Sequence, residues 1–108
     1  MHNISSPRTD EAAVEAEIVA KGLTAPRLTP ASIDATIVGA EYVITGDGLT
    51  VCRLKLRDGF SVTGESACAS PENFDRELGQ KIAYANAREK IWALEGYLLK
   101  ERLSGGKA

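Results

Sequence analysis

Hydrophobic and polar residues change their spacing along this chain, and the changes divide it into helical and extended stretches. From Asp10 to Lys21 acidic residues gather at the front, while Val14 and Ile18 recur at helical spacing and mark an inward side. The pattern predicts a first helix that opens near Thr9 or Asp10 and closes at Lys21, with Gly22 in the left-handed position past its end. Leu23 to Leu28, which contains Ala25-Pro26, reads as a connection. Thr29 and Pro30 then supply the N-cap and first residue of a second helix, with Ile33, Ile37 and Val38 as its apolar face and Gly39 at its end.

Glu41 to Ile44 has the β-branched and aromatic content of a short strand, though helix remains open there, and Gly46-Asp47-Gly48 is a turn signal. Thr50 to Leu56 alternates strictly, placing Cys52, Leu54 and Leu56 on one side and Val51, Arg53 and Lys55 on the other. A two-residue Asp58-Gly59 loop would pair Arg57 with Phe60 and set the apolar residues of the two strands on opposite faces. A three-residue loop with Gly59 in a left-handed bulge position pairs Leu56 with Phe60, Leu54 with Val62 and Cys52 with Gly64, and makes one face continuously apolar. The opposite face then holds Arg53 and Lys55 beside Val51 and Glu65.

From Pro71 the signal is helical again: Ser70 can cap, Pro71 suits the first position, and Glu72 adds negative charge near the positive helix start. Phe74, Leu78, Ile82, Ala85, Trp92, Leu99 and Leu103 form one stripe, assigned to packing on the hairpin. Ala87, Ile91, Leu94 and Leu98 form a second, which calls for cover by the N-terminal helices or by another copy of the chain. Gly79 and Gly96 are weak points where this helix is free to kink. The expected fold class is α+β: two short N-terminal helices, a small antiparallel sheet of a β-hairpin with a third strand left open, and a long C-terminal helix packed on the sheet. The expected organisation is a flexible extension at 1–9, a single domain at 10–103 and a flexible tail at 104–108.

Composition narrows the chemistry. With 13 basic and 15 acidic residues the net charge is −2, so no broad basic face is available for a nucleic-acid backbone, and general nucleic-acid binding is not expected. No apolar run approaches the ~20 residues that cross a bilayer, and the first ten residues hold no signal-peptide core, which points to the cytoplasm and not to a membrane. Cys52 and Cys68, the two cysteines, are expected as reduced thiols. His2 is the single histidine and neither cysteine belongs to a CxxC pair, so no metal site and no cofactor is expected.

The run Gly59-Phe60-Ser61-Val62-Thr63-Gly64-Glu65-Ser66-Ala67-Cys68-Ala69-Ser70-Pro71-Glu72-Asn73-Phe74-Asp75 resembles the signature of a small tailed-phage protein family. That family takes its description from gene product 49 of coliphage N-4 and gene product 66 of phage Sf6. Lys21-Gly22-Leu23-Thr24-Ala25-Pro26-Arg27 and Thr29-Pro30 upstream, and Lys81-Ile82-Ala83, Lys90-Ile91-Trp92 and Leu94-Glu95-Gly96-Tyr97-Leu98-Leu99 downstream, follow the same pattern. The resemblance spans roughly residues 15 to 103 and implies phage or prophage origin, hence the host bacterial cytoplasm. It supplies no reaction.

Three functional readings follow. The leading one is a non-enzymatic, oligomeric accessory protein that acts on the host by binding a small anionic ligand, such as a nucleotide-derived defence signal. Its candidate ligand residues are Arg53, Lys55, Glu65, Ser66, Ser70 and Asn73, because the hairpin exit leads hydroxyl and amide groups to a helix start while the sheet face offers positive charge. Its candidate oligomer interface is Ala87, Ile91, Leu94 and Leu98. The second reading is an interaction module for a host or phage protein. The third is a small hydrolase using Glu65 and Cys68, although a nucleophilic Cys68 needs an activating partner that His2 is badly placed to supply. Trp92 reads as core, with Tyr84 and Tyr97 as the more exposed aromatics.

Overall fold

The computed structural model describes residues 10–23 and 25–105; the extension expected at 1–9 and the last residues of the expected tail lie outside the described residues. Helix α1 spans Glu11–Ala20 and is followed by Gly22 at φ +70°. Helix α2 spans Pro30–Asp34, and its start is a capping box in which the Thr29 hydroxyl accepts from the Ser32 amide while Ser32 Oγ accepts from the Thr29 amide. Three antiparallel strands follow, β1 at Ile37–Ile44, β2 at Thr50–Leu56 and β3 at Ser61–Ser66, in the order β1-β2-β3. A 3-10 turn at Pro71–Asn73 leads to the last helix, α3, Arg76–Leu103, whose 28 residues run unbroken through Gly79 and Gly96.

The hairpin register is the expected one. Leu54 faces Val62 and Cys52 faces Gly64, the Leu56 amide donates to the Phe60 carbonyl at 2.8 Å, and Gly59 sits at φ +92°. Phe60 departs from expectation: it is 57% exposed, because the strand ends before its ring reaches the core.

Three sequence expectations are corrected. The second helix stops at Asp34 and does not reach Gly39, since Ile37 and Val38 belong to β1, where pairing with β2 satisfies their backbone and suits their branched side chains. A register shift between Ile37 and Gly39 leaves Val38 exposed, and the stretch left open at Glu41–Ile44 is strand. The long helix starts at Arg76 and not at Pro71: the Asp75 carboxylate caps it by accepting from the Leu78 amide at 2.9 Å, while the Ser70 side chain makes no cap bond.

The third correction concerns which side of α3 meets the sheet. Gly79, Ala83, Ala87 and Ile91, at steps of four, are its buried residues, with Ala83, Ala87 and Ile91 at 0% exposure beside Cys52, Leu54, Leu56 and Val62. Leu78 and Leu103, expected against the hairpin, are exposed, whereas Trp92 packs partly buried on the core edge. Small side chains win this face because they let the helix backbone come down onto β3. A Cβ built on Gly64 would lie 2.2 Å from the Ala87 amide nitrogen and 2.5 Å from the Ala83 carbonyl oxygen.

Helix α1 is attached differently. It has no fully buried residue, and Val14, expected inward, is half exposed. Its hold is ionic: Arg88 on α3 donates to Glu11 at 2.8 Å, to Asp34 of α2 at 2.7 Å and to the Pro30 carbonyl at 3.2 Å, and Arg27 donates to both carboxylate oxygens of Glu15 at 2.8 Å. Burial disfavours charge on Arg88, but the bonds to Glu11 and Asp34 outweigh it and hold its pKa above the ordinary arginine value. Replacing Arg88 by glutamine is therefore expected to loosen α1 by about 2 kcal/mol while leaving β2 protected. Amide hydrogen exchange resolved by segment checks this, and unchanged protection across residues 11–20 contradicts it. No helix among the described residues is long and apolar enough to cross a membrane.

Candidate functional site

The antiparallel sheet has a helix-covered face and an open one. On the open face Arg53 and Lys55 project side by side from β2, but β1 places Glu41 between them: its carboxylate is 2.6 Å from Arg53 Nη1 and 3.4 Å from Lys55 Nζ. Hydrogen bonds from Arg53 and Lys55 hold the Glu41 carboxyl below its ordinary value. Glu65 adds a second acid to the same face, across from Val51 and diagonal to Arg53. With Glu41, Arg53, Lys55 and Glu65 counted together the patch is neutral, so the cations available to an anion are already partnered. Glu41 is the functional neighbour that sequence reasoning missed, and it becomes visible only once β1 is paired with β2 in register.

Two further carboxylates lie low for related reasons: Glu15 through its hydrogen bonds from Arg27, and Asp47 through the Thr45 hydroxyl and the Leu49 amide. A carboxylate whose folded pKa is depressed contributes stability above its unfolded value and loses it as pH falls through the folded value. The melting temperature is accordingly expected to be flat above pH 4.5, the ordinary value for Glu15 and Glu41, and to fall below it. The fall should be shallower in about 1 M salt, where exposed pairs are screened. A thermal denaturation series in pH at two salt concentrations checks this; stability that rises on acidification contradicts it.

The β3 exit carries the remaining expected ligand residues and divides them. Glu65 is exposed, and its carbonyl accepts from Asn86 Nδ2 at 2.9 Å, which ties the strand end to α3. Ser66, one residue on, points to the helix side and is fully buried opposite Thr50, away from Arg53 and Lys55. Cys68 Sγ donates to the Ser70 carbonyl at 3.0 Å, and the same carbonyl accepts from the Asn73 amide at 2.9 Å. Ser70 and Asn73 are exposed at the two ends of the 3-10 turn. Cys52 is buried beside Tyr42, and burial raises both its thiol and the Tyr42 hydroxyl. Among the described residues no three His, Cys, Asp or Glu side chains gather to hold a metal ion.

A cleft of about 180 Å³ opens beside this exit, between the β1–β2 turn and the 3-10 turn, lined by Thr45, Gly46, Asp47, Gly48, Pro71 and Phe74. The turn is closed by the Thr45 amide on the Leu49 carbonyl at 2.9 Å and by the Thr45 hydroxyl on Asp47. Gly48, at φ +88°, sits close to the Phe74 ring: a Cβ there would be 3.6 Å from Phe74 Cδ1. Phe74 is thus a wall of this cleft rather than the first rung of the sheet-facing stripe. The only advance sign was its position straight after the Pro71 turn, ahead of the Asp75 cap.

A larger, more apolar groove of about 340 Å³ lies at the other end of the sheet, where Phe60 and Leu56 at the β2–β3 turn face Leu94, Tyr97 and Leu98 of α3. The four residues expected at an oligomer interface are split by this geometry: Ala87 and Ile91 are in the core, while Leu94 and Leu98 are 39% and 50% exposed. Of the aromatics expected to be more exposed, Tyr97 is at the surface and Tyr84 is packed against the core.

Fold and site together define a small α+β domain, one helix laid on a three-stranded sheet, with an aromatic cleft at one end and an apolar groove at the other. The chain belongs to the Phage protein (N4 Gp49/phage Sf6 gene 66) family, whose model matches residues 28–103, from the α2 cap to the end of α3. Helix α1 precedes the matched segment. No curated protein and no solved structure matches the chain.

Proposed function

We propose that this phage-family protein acts on the host by binding, as an oligomer without enzymatic activity, and that its target is a small anionic ligand of nucleotide type. The observation that supports this reading best is the Phe74 cleft, where an aromatic ring stands beside a glycine-rich turn. Every nucleobase has a flat face that stacks on such a ring, whereas the Gly48 and Leu49 amides of the turn are already held by Thr45. Ser70 and Asn73 stand next to the lining residues Pro71 and Phe74 in the chain, whereas Arg53 and Lys55 lie outside the lining, paired with Glu41 on the open sheet face. The cleft holds about 180 Å³, whereas sites for ligands of this size run to roughly 300–1,000 Å³, so it seats one ring of the ligand and leaves the remainder at the surface.

Thermal shift against a panel of mono-, di- and cyclic nucleotides tests the reading. A true ligand at a hundredfold excess over its Kd stabilises by about 2.7 kcal/mol, and Phe74→Ala should abolish that gain. A flat response across the panel removes the ligand reading. The apolar groove at Phe60 and Tyr97 then favours the second reading, a protein-interaction module.

A further inference from the structure

Helix α3 is longer than the sheet it covers. Its 28 residues extend about 42 Å at the α-helical rise, whereas the seven residues of β2 extend about 23 Å. The sheet-facing line Gly79, Ala83, Ala87, Ile91 continues as Leu94 and Leu98, one helical step at a time, but the sheet ends at the Leu56–Phe60 turn. Exposure along the line changes accordingly, from 0% at Ala87 and Ile91 to 39% at Leu94 and 50% at Leu98, with Phe60 and Tyr97 bare on either side. The helix thus carries a core face out past its own core.

We propose that a second copy of this chain covers that overhang, its α3 lying antiparallel to the first about a two-fold axis close to Leu98. The charges beside the groove favour a copy over an unrelated partner. Glu95 and Arg102 are seven residues apart, two turns less about 20°, so they stand on the same flank of the apolar line. In an antiparallel two-fold pair each flank meets its own counterpart, so Glu95 of one copy faces Arg102 of the other, and the match is made twice. An axis between Leu98 and Leu99 sets both pairs in register and brings Leu98 of each copy beside Leu98 of its mate. The groove of about 340 Å³ between Phe60 and Leu98 then receives apolar side chains instead of water.

This inference rests on the oligomeric part of the proposed function and specifies its surface. Sedimentation equilibrium of the full chain across a range of concentrations should give a dimer or an even multiple of it. Leu98→Glu, at a half-exposed position, should raise the dissociation constant at least tenfold with an unchanged circular dichroism spectrum. Arg102→Glu, at an exposed site in the last turn of the helix, should weaken association, and Glu95→Arg combined with Arg102→Glu should restore it. A wild-type chain that stays monomeric overturns the proposal and leaves the groove to a different protein. Association that ignores Leu98→Glu, or a double charge exchange that fails to rescue, overturns it as well. Thermal shift with nucleotides on the same samples keeps the two ideas apart. A ligand response without a dimer through this face sinks the present inference alone, and a dimer without a response sinks only the ligand.

Discussion

Gly64→Ala is expected to be among the most damaging single substitutions in this chain, at about 3 kcal/mol or more, although it adds one methyl group to a strand. The reason is contact and not conformation. The added carbon would lie 2.2 Å from the Ala87 nitrogen, 2.5 Å from the Ala83 oxygen and 2.7 Å from the Asn86 carbonyl carbon, all backbone atoms of α3 that cannot swing aside. Either the helix lifts off β3, opening gaps around Cys52 and Ile91, or the strand bends. For a domain whose total stability is about 5–15 kcal/mol, a melting temperature lower by about 15 °C is the expected reading. Gly59→Ala is the control, because Gly59 has the left-handed φ of +92° with nothing within 4 Å of a new Cβ. It should cost only the conformational strain, about 1 kcal/mol. Equal losses in the two variants, measured by thermal circular dichroism, would contradict the close-approach account.

Ile91→Ala carries the second large expectation, about 3 kcal/mol, since Ile91 is fully buried among Leu54, Val62 and the helix stripe and its loss leaves a cavity. Leu98→Ala, one helical face further on and half exposed, should cost under about 1 kcal/mol in the isolated fold. The two also differ in kind. The Ile91 deficit should be the same at every protein concentration, whereas any Leu98 deficit should grow as protein concentration rises and the second copy contributes to stability. Chemical denaturation at two concentrations well apart separates them. Equal costs, or a concentration-dependent Ile91 deficit, would place Ile91 at an interface and not in the core.

That contrast also shows where sequence reading succeeded and where it stopped. The hairpin was legible to the residue, because the alternation of Thr50–Leu56 and a single glycine at position 59 leave one register that keeps the apolar residues together. The helix caps at Thr29 and Gly22 were legible because they follow from local hydrogen bonding. The face of α3 was not. Two apolar stripes competed, and the one with the larger residues looked like the core, yet packing favoured the line of Gly79, Ala83 and Ala87, which permits backbone approach. Gly64 was the available clue, a glycine on the apolar face in mid-strand, and it has meaning only once something is placed above it.

The candidate site divides in the same way. Arg53 and Lys55 were placed correctly side by side, but their ion pairs with Glu41 come from a strand 12 and 14 residues earlier in the chain whose state was left open. Ser66 looked interchangeable with Ser70 as a hydroxyl near a helix start. The parity of β3 buries one, and the 3-10 turn exposes the other.

What the sequence determined by itself was therefore local and periodic: the α+β class, the hairpin with Gly59 in its bulge, the caps at Gly22 and Thr29, and the family motif running from the hairpin into the last helix. Each is set by bonds or alternation within a few residues. The tertiary structure alone decided the longer-range choices: that Ile37 and Val38 join a sheet, that Arg88 clips α1 and α2 to α3, that Glu41 neutralises the cationic face, and that α3 lies on its smallest side chains. Those outcomes depend on partners far apart in the chain, where close packing and charge pairing override what any short stretch prefers.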